Sequence, residues 1–498
     1  MQNLIYLFVF LLPWQTRWIF YDPKINGEVW EYGRMSLYGF DVVFIILIFV
    51  YLASLFMKLF YVRQKNGLSI VIKLPFVIPA KAGIQKRILK FFCLDPDLHQ
   101  DDKKEGQDGK EEDTEDRNRK VKIYFFIFLY SFIFIILNII FSQNKILSLY
   151  WWLRIGEILG LLWILSRVNF LKIKLAWAFI LSMVLSSGLG VYQFLTQNMF
   201  ASKWLGIAIH KASDLGASVV EISNGERFLR AYGSLPHPNV LAGFIIVTII
   251  LLVWIMENSK LKNFLDSRFN LPFRPLKARG NDKKKDVDDK KELFYYLIAL
   301  LLIIALFFTF SRAAWLVFLL VMSYWLLVDF KKNWKKVLGI LGILGTLGVL
   351  YWPLVQTRLG LSQAPLRLEM QSVSERVSNY GEAWQIIKNN SVVGVGLGNY
   401  TLALQKNNPG LPGFKYQPVH NVLILAWAEL GVLGWFGVLG WFGVLIKNLK
   451  RKNNFIFFVF SCFCIFVLLC ADHFWWTLPS GMILILGGLG ILGKRSEE

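Results

Sequence analysis

The sequence predicts an all-α fold: a polytopic membrane protein with about 12 transmembrane helices and a large non-cytoplasmic loop between the ninth and tenth. Three observations predict it. The 498-residue chain is 55% hydrophobic and 16% aromatic, with a mean hydropathy of +0.47, a composition that suits lipid and would aggregate in water. Apolar runs start near Leu4, Phe40, Ile123, Leu149, Leu175, Leu235, Leu293, Ala313, Val337, Val422, Phe455 and Leu478, each read as one crossing at about 20 residues per span. The third is the placement of a net charge of +21. Its Lys and Arg residues fall in short stretches between apolar runs, not on one aromatic-interleaved surface, which points to topology and away from a nucleic-acid partner.

With Met1 inside, alternation sends 58–122, 167–174, 260–291, 331–336, 447–452 and the tail Lys494-Arg495 to the cytoplasm. Nearly every dense basic cluster then lies on one side, as the positive-inside rule requires. Both termini are expected to be cytoplasmic. The first run lacks a basic n-region and a small-residue cleavage site, so it reads as a retained helix. The chain divides into helices one and two (1–61), a charged cytoplasmic loop (62–122), helices three to six (123–257) with an outer loop near 198–230, and a second cytoplasmic loop (258–292). Helices seven to nine (293–353), the large outer loop (354–419), and the last three helices with the tail (420–498) complete it.

The two cytoplasmic loops resemble translated dispersed repeat elements, through Ile78-Pro79-Ala80-Lys81-Ala82-Gly83 and Leu265-Asp266-Ser267-Arg268-Phe269. They are read as disordered insertions, tolerated because loop-closure entropy grows slowly with length. A hexapeptide is duplicated, Gly431-Val432-Leu433-Gly434-Trp435-Phe436 followed by Gly437-Val438-Leu439-Gly440-Trp441-Phe442, and its glycines every third residue read as close helix packing in lipid. Cys93, Cys462, Cys464 and Cys470 have neither disulfide-framework nor metal-site spacing and read as packing residues.

Polar side chains in or beside hydrocarbon are costly, so those on the outer side carry the functional candidates. Arg230 and the segment Ser234-Leu235-Pro236-His237-Pro238-Asn239 precede one helix; the alternative reading there is a helix cap. Arg312, in Thr309-Phe310-Ser311-Arg312-Ala313-Ala314, stands at the junction of two apolar helices, and lacks an acidic residue nearby in sequence; it reads as an anion ligand or a snorkelling side chain. Arg376 lies on a helix-patterned segment of the large loop, with an ion pair to Glu375 or Glu382 as its alternative. Gly394-Val395-Gly396-Leu397-Gly398 beyond it matches no nucleotide fingerprint. His420 and Asn421 stand where the loop becomes a helix, suited to proton abstraction near neutral pH or to capping. The outer carboxylates are scattered, so no metal site and no cofactor are expected.

The order of these groups resembles the O-antigen ligase family over roughly residues 230–477. The resemblance is carried by Arg312 with Leu316, by Arg376 in the large loop, and by His420 with Gly431. The segments His237-Pro238-Asn239 and Asp472-His473-Phe474-Trp475 carry it further. It implies a bacterial inner-membrane enzyme, with the large loop and active site facing the periplasm. Such an enzyme transfers a glycan from undecaprenyl pyrophosphate to an acceptor hydroxyl on lipid A core, another glycan or a protein, without metal and with inversion. It further implies His420 as general base and Arg312 and Arg376 as pyrophosphate ligands, with Arg230, His237, Asn239 and Asn421 as substrate-binding residues. Polymerases and protein O-oligosaccharyltransferases share the pattern. From other classes, a secondary transporter of an anionic solute and a scaffold for glycan export fit the helix count.

Overall fold

The computed structural model describes residues 1–65, 109–214, 216–257, 281–362, 367–449 and 455–488. The repeat-like segments, Cys93 and the basic tail lie outside them. The loop boundaries expected at 62–122 and 258–292 narrow, because helix continues to Lys65 and resumes at Gly109 and Asn281.

A short helix, α1 (Gln2–Leu11), leads into a β-ribbon in which β1 (Arg17–Tyr21) pairs antiparallel with β4 (Met35–Tyr38). Between them β2 (Lys24–Ile25) and β3 (Glu28–Val29) form a hairpin. Its turn residues Asn26 and Gly27 both have positive φ, 51° and 82°, as a two-residue Asn-Gly hairpin turn demands. With a third ribbon of β5 (Val219–Glu221) and β6 (Arg227–Leu229), these strands correct the all-α expectation. The fold is predominantly helical with small ribbons at the helix ends.

The helices that follow are α2 (Gly39–Lys65), α3 (Gly109–Ile140), α4 (Lys145–Arg167), α5 (Lys172–Thr196), α6 (Pro238–Glu257), α7 (Asn281–Phe308), α8 (Arg312–Val328) and α9 (Phe330–Leu350). Next come α10 (Trp352–Leu359), α11 (Arg367–Asn389), α12 (Tyr400–Asn407), α13 (Val422–Leu449), α14 (Phe455–Ala471), α15 (Phe474–Thr477) and α16 (Pro479–Met482). The first eleven apolar runs all fold as helix. The twelfth begins with α16, Pro479 at its first helical position, and stays helical through a π turn at Ile483–Gly487 to the end of the described residues; α15 is a separate short turn before it. Six helical segments among the described residues are long and apolar enough to cross a bilayer, and five apolar helices are shorter. The helical membrane architecture therefore stands, while the number 12 does not follow from it.

Helix α5 packs against α1, α6 and α7, and α8 against α6, α9 and α14. Many lipid-facing apolar side chains stay exposed, Phe49 at 73% and Leu327 at 81%, as expected where lipid replaces water as solvent. Inside, Asp41 on α2 pairs with Arg154 on α4 at 2.7 Å, and Arg154 also reaches Glu157 at 2.8 Å. Removing Arg154 would leave two buried carboxylates without their cation. The large loop is folded: α10, α11 and α12 lie within it, and α11 packs on α13. In the duplicated hexapeptides the glycines of the first copy are tightly packed and those of the second are not. Gly431 breaks the helix with φ 63°, against the backbone of Val392 and Gly394, whereas a Cβ at Gly437 or Gly440 would meet nothing within 4 Å.

Candidate active site

The turn between α7 and α8 sets the first guanidinium. Phe310 takes a left-handed φ of 48° although fully buried, a conformation costing about 1 kcal/mol or more for a residue with a Cβ. Two arginines hold the turn. Arg230 Nε donates to Thr309 O at 2.6 Å, and Arg358 Nε and Nη2 donate to Phe310 O at 3.1 and 3.0 Å. Ser311 is buried behind them, and Arg312 emerges as the first residue of α8.

Arg312, Arg358 and Arg376 line one small pocket, about 420 Å³ only when the open solvent at its mouth is included, together with Asn239, Ser311 and Asp472. Three guanidinium groups against one carboxylate make it attractive to anions. Arg376, half-buried on α11, makes no ion pair or hydrogen bond among the described residues. Its expected alternative partners are engaged elsewhere, Glu375 with Lys415 at 3.1 Å and Glu382 with Asn408. Arg358 had no signal in the sequence beyond being an arginine in an outer loop, because its role depends on the fold of α10 over the α7–α8 turn.

Asp472, at the end of α14, is the hub. Its Oδ1 accepts from the His473 amide at 2.8 Å and lies 3.3 Å from His420 Nδ1, and its Oδ2 accepts from Asn239 Nδ2 at 2.9 Å. Asn239 Oδ1 in turn accepts from Arg230 Nη2 at 2.7 Å, which fixes the orientation of that amide. An ionised carboxylate only accepts, so the His420 proton sits on Nδ1 and Nε2 is left as the basic atom. Nε2 has no hydrogen-bond partner among the described residues.

Burial pushes the Asp472 carboxyl up, but the His420 hydrogen bond and the nearby imidazoles outweigh it and hold the group far below the usual carboxylate range. Burial lowers His473 to about 4, Asp472 opposing, and lowers His237 to about 3, with Arg230 adding to the effect. Both are neutral at neutral pH.

Of the seven residues expected from sequence, Arg312, Arg376 and Asn239 line the pocket, and His420 reaches it through Asp472. Arg230 and His237 are not among the lining residues. Arg230 is 4% exposed with donors on Thr309, Ser218 and Asn239, and His237 Nδ1 accepts from the Asn239 amide at 3.1 Å. Both position Asn239. Asn421 caps α13, its Oδ1 accepting from the amides of Leu423 and Ile424. Although the outer carboxylates are scattered in sequence, ligand atoms of His420, Asp472 and His473 lie within 4.8 Å of one another. Residues 52 positions apart converge because α14 ends beside the start of α13, which spacing in the sequence cannot reveal. Hydrogen bonds already join these atoms, including His473 Nδ1 to Thr477 Oγ1 at 2.9 Å.

Residues 297–439 match the family model described as O-Antigen ligase. Over that stretch the chain is similar to the O-antigen ligase family. That family is one of membrane glycosyltransferases. The O-antigen ligase match covers Arg312, Arg358, Arg376 and His420, while Arg230, Asn239 and Asp472, which complete the polar chain behind the histidine, flank it. No curated protein matches the chain significantly.

Proposed function

We propose that the protein transfers a glycan from undecaprenyl pyrophosphate to an acceptor hydroxyl at the periplasmic face of a bacterial inner membrane, with both termini cytoplasmic. The observation that carries this reading is the lining of one pocket by Arg312, Arg358, Arg376 and Asp472, the last bonded to His420. The pocket stands where α6 and α8 begin and α14 ends. The basic clusters of the sequence follow the opposite ends of α6 and α8 and precede α14, which by the positive-inside rule supports a pocket on the outer side.

The donor brings its own leaving group. As the glycosidic bond breaks, negative charge grows on the pyrophosphate, and the guanidinium groups stabilise it by bidentate hydrogen bonding. His420 Nε2 takes the proton of the attacking hydroxyl, and Asp472 stabilises the imidazolium that forms. One displacement inverts the anomeric centre, and neither step requires a metal. Acceptors on lipid A core, on another glycan and on protein are all compatible with this chemistry, so a polymerase or a protein oligosaccharyltransferase shares the mechanism.

The test is transfer from a lipid-pyrophosphate glycan by purified protein, with His420→Ala and Arg376→Ala as controls. Loss of about a hundredfold or more in each supports the assignment. Full activity in either variant overturns its assigned role. A deletion strain then separates acceptors: unattached surface glycan indicates a ligase, and single-repeat products indicate a polymerase.

A further inference from the structure

The ion cluster between α2 and α4 contains one acid more than its cation can neutralise. Arg154 Nη1 lies 2.7 Å from Asp41 Oδ1 and 2.8 Å from Glu157 Oε2, and all three side chains are less than one-tenth exposed. The other guanidinium nitrogens are used elsewhere: Nη2 donates to Ser36 O, and Nη2 and Nε both face Tyr150 Oη, at 3.1 and 3.3 Å. Glu157 stands about 18 Å along α4 from its start at Lys145. Leu153 and Leu159 near it are 65% and 59% exposed and face lipid, so the cluster sits at hydrocarbon depth on the inner side of the helix. None of these groups takes part in the transfer chemistry above.

With every group ionised, the cluster would keep one uncompensated negative charge, which is costly in hydrocarbon. The other titratable groups that face it do not remove that charge. Arg154 lies 5.6 Å from the centre of the Tyr38 ring and 5.1 Å from that of Tyr150. Arg17 on β1 stands one residue further out, donating to Tyr38 Oη at 3.5 Å, with Glu31 nearby to offset it.

The contact between the two acids identifies what is missing. The Asp41 and Glu157 carboxyl groups lie within hydrogen-bonding reach of each other, yet two carboxylates have no proton to donate. Glu157 Oε1 and Ser36 Oγ are buried without a hydrogen-bond partner, and Asp41 Oδ1 has its ion pair alone. Facing carboxyls are relieved when one proton is shared between them. A metal cation would stand against the guanidinium and needs about six oxygen ligands, whereas a proton needs two.

We propose that Asp41 and Glu157 form a proton-binding site, holding one proton between their carboxyl groups at neutral pH and leaving Arg154 to balance the single remaining charge. The proton belongs to the pair, since interacting sites titrate together. The site is tied to the outer ribbon: Tyr38 N donates to Asp41 Oδ2 at 2.6 Å and Arg154 holds Ser36 O, so the cluster fixes β4 at two points. The turn that leads into β4 presents Tyr32 to His473, ring to ring at 5.7 Å. Loss of the proton would put a net negative charge behind that ribbon. Any effect of this on glycan transfer rests on the catalytic reading above; the proton itself does not.

The test is infrared spectroscopy of the purified full-length protein in nanodiscs at neutral pH, as difference spectra against Glu157→Gln and Asp41→Asn. Wild type should show the carbonyl stretch of a protonated, water-shielded carboxylic acid that each variant lacks. Glu157→Gln reproduces the protonated acid in size and hydrogen bonding, so its melting temperature should stay within a few degrees of wild type. Asp41→Asn combined with Glu157→Gln strands Arg154 and should lower the melting temperature by about 5 °C or more. Replacing sodium by choline at constant ionic strength should change neither the band nor the melting temperature. Absence of an acid band that the variants lose, or a Glu157→Gln protein that fails to fold, overturns the proposal. Sodium-dependent stability of wild type that Glu157→Gln abolishes would assign the place to a metal cation, which overturns it as well. None of these readouts needs a substrate, so failure of the transfer assay leaves them unaffected.

Discussion

His420 Nδ1 lies 3.3 Å from Asp472 Oδ1, across 52 residues and at the meeting of two helix ends. The carboxylate can hold a proton on Nδ1 and leave Nε2 unprotonated, which is the tautomer that the proposed base mechanism needs.

Asp472→Asn should therefore lower kcat for glycan transfer by about a hundredfold or more, because an amide can stabilise the wrong tautomer and does not neutralise an imidazolium. Asp472→Asn combined with His420→Ala should cost no more than His420→Ala alone, since residues acting as a unit are not additive. Steady-state kinetics of the three variants check this, and additive losses would separate the two residues.

Arg358→Lys keeps a charge but loses the two bonds from Nε and Nη2 to Phe310 O. If the guanidinium both holds the α7–α8 turn and faces the donor, kcat/KM for the lipid-pyrophosphate donor should fall about tenfold or more while the acceptor KM changes little. Thermal unfolding in detergent should shift down as well. An unchanged donor kcat/KM would leave Arg358 a structural residue.

Asn421→Ala should destabilise by about 1 kcal/mol through loss of the α13 cap, and Asn421→Asp should recover most of it. Substrate KM values should hold in both, because Asn421 Oδ1 is occupied by two backbone amides. A rise in KM without a drop in melting temperature would restore the substrate-binding role.

The pH dependence of stability has a defined sign. His473 is lowered from 6.5 to about 4 and His237 from 6.5 to about 3, chiefly by burial. The unfolded chain then binds more protons than the folded one between those values. The stability contributed is complete above pH 6.5 and is lost as pH falls through the folded values. Melting temperature should decline from pH 6.5 toward 4, and His473→Gln should flatten the upper part of that decline. A flat profile in wild type would contradict the burial of both rings.

Glycan transfer should survive chelation by EDTA, and added divalent zinc should inhibit by competing for His420, Asp472 and His473. Loss of transfer on chelation, restored by one metal, would make that trio a catalytic metal site.

Sequence alone determined the membrane architecture, because hydrocarbon demands apolar length and charge asymmetry, and both are local properties of the chain. It also singled out Arg312, Arg376 and His420, since a charged or titratable group at a helix end in lipid stands out without any neighbour being known. Local turn chemistry was equally present, as Asn26-Gly27 shows, although within an apolar chain the ribbons were overlooked. The segment Asp472-His473 drew notice only as a pattern, and Arg358 drew none. Their roles are pairwise: Asp472 matters through His420 and Asn239, and Arg358 through the carbonyl of Phe310. The left-handed turn at Phe310, held by Arg230 and Arg358 from two other segments, was likewise decided by tertiary structure. Hydropathy reads each segment against its solvent, whereas partners of a buried polar atom come from whichever helix ends packing brings beside it.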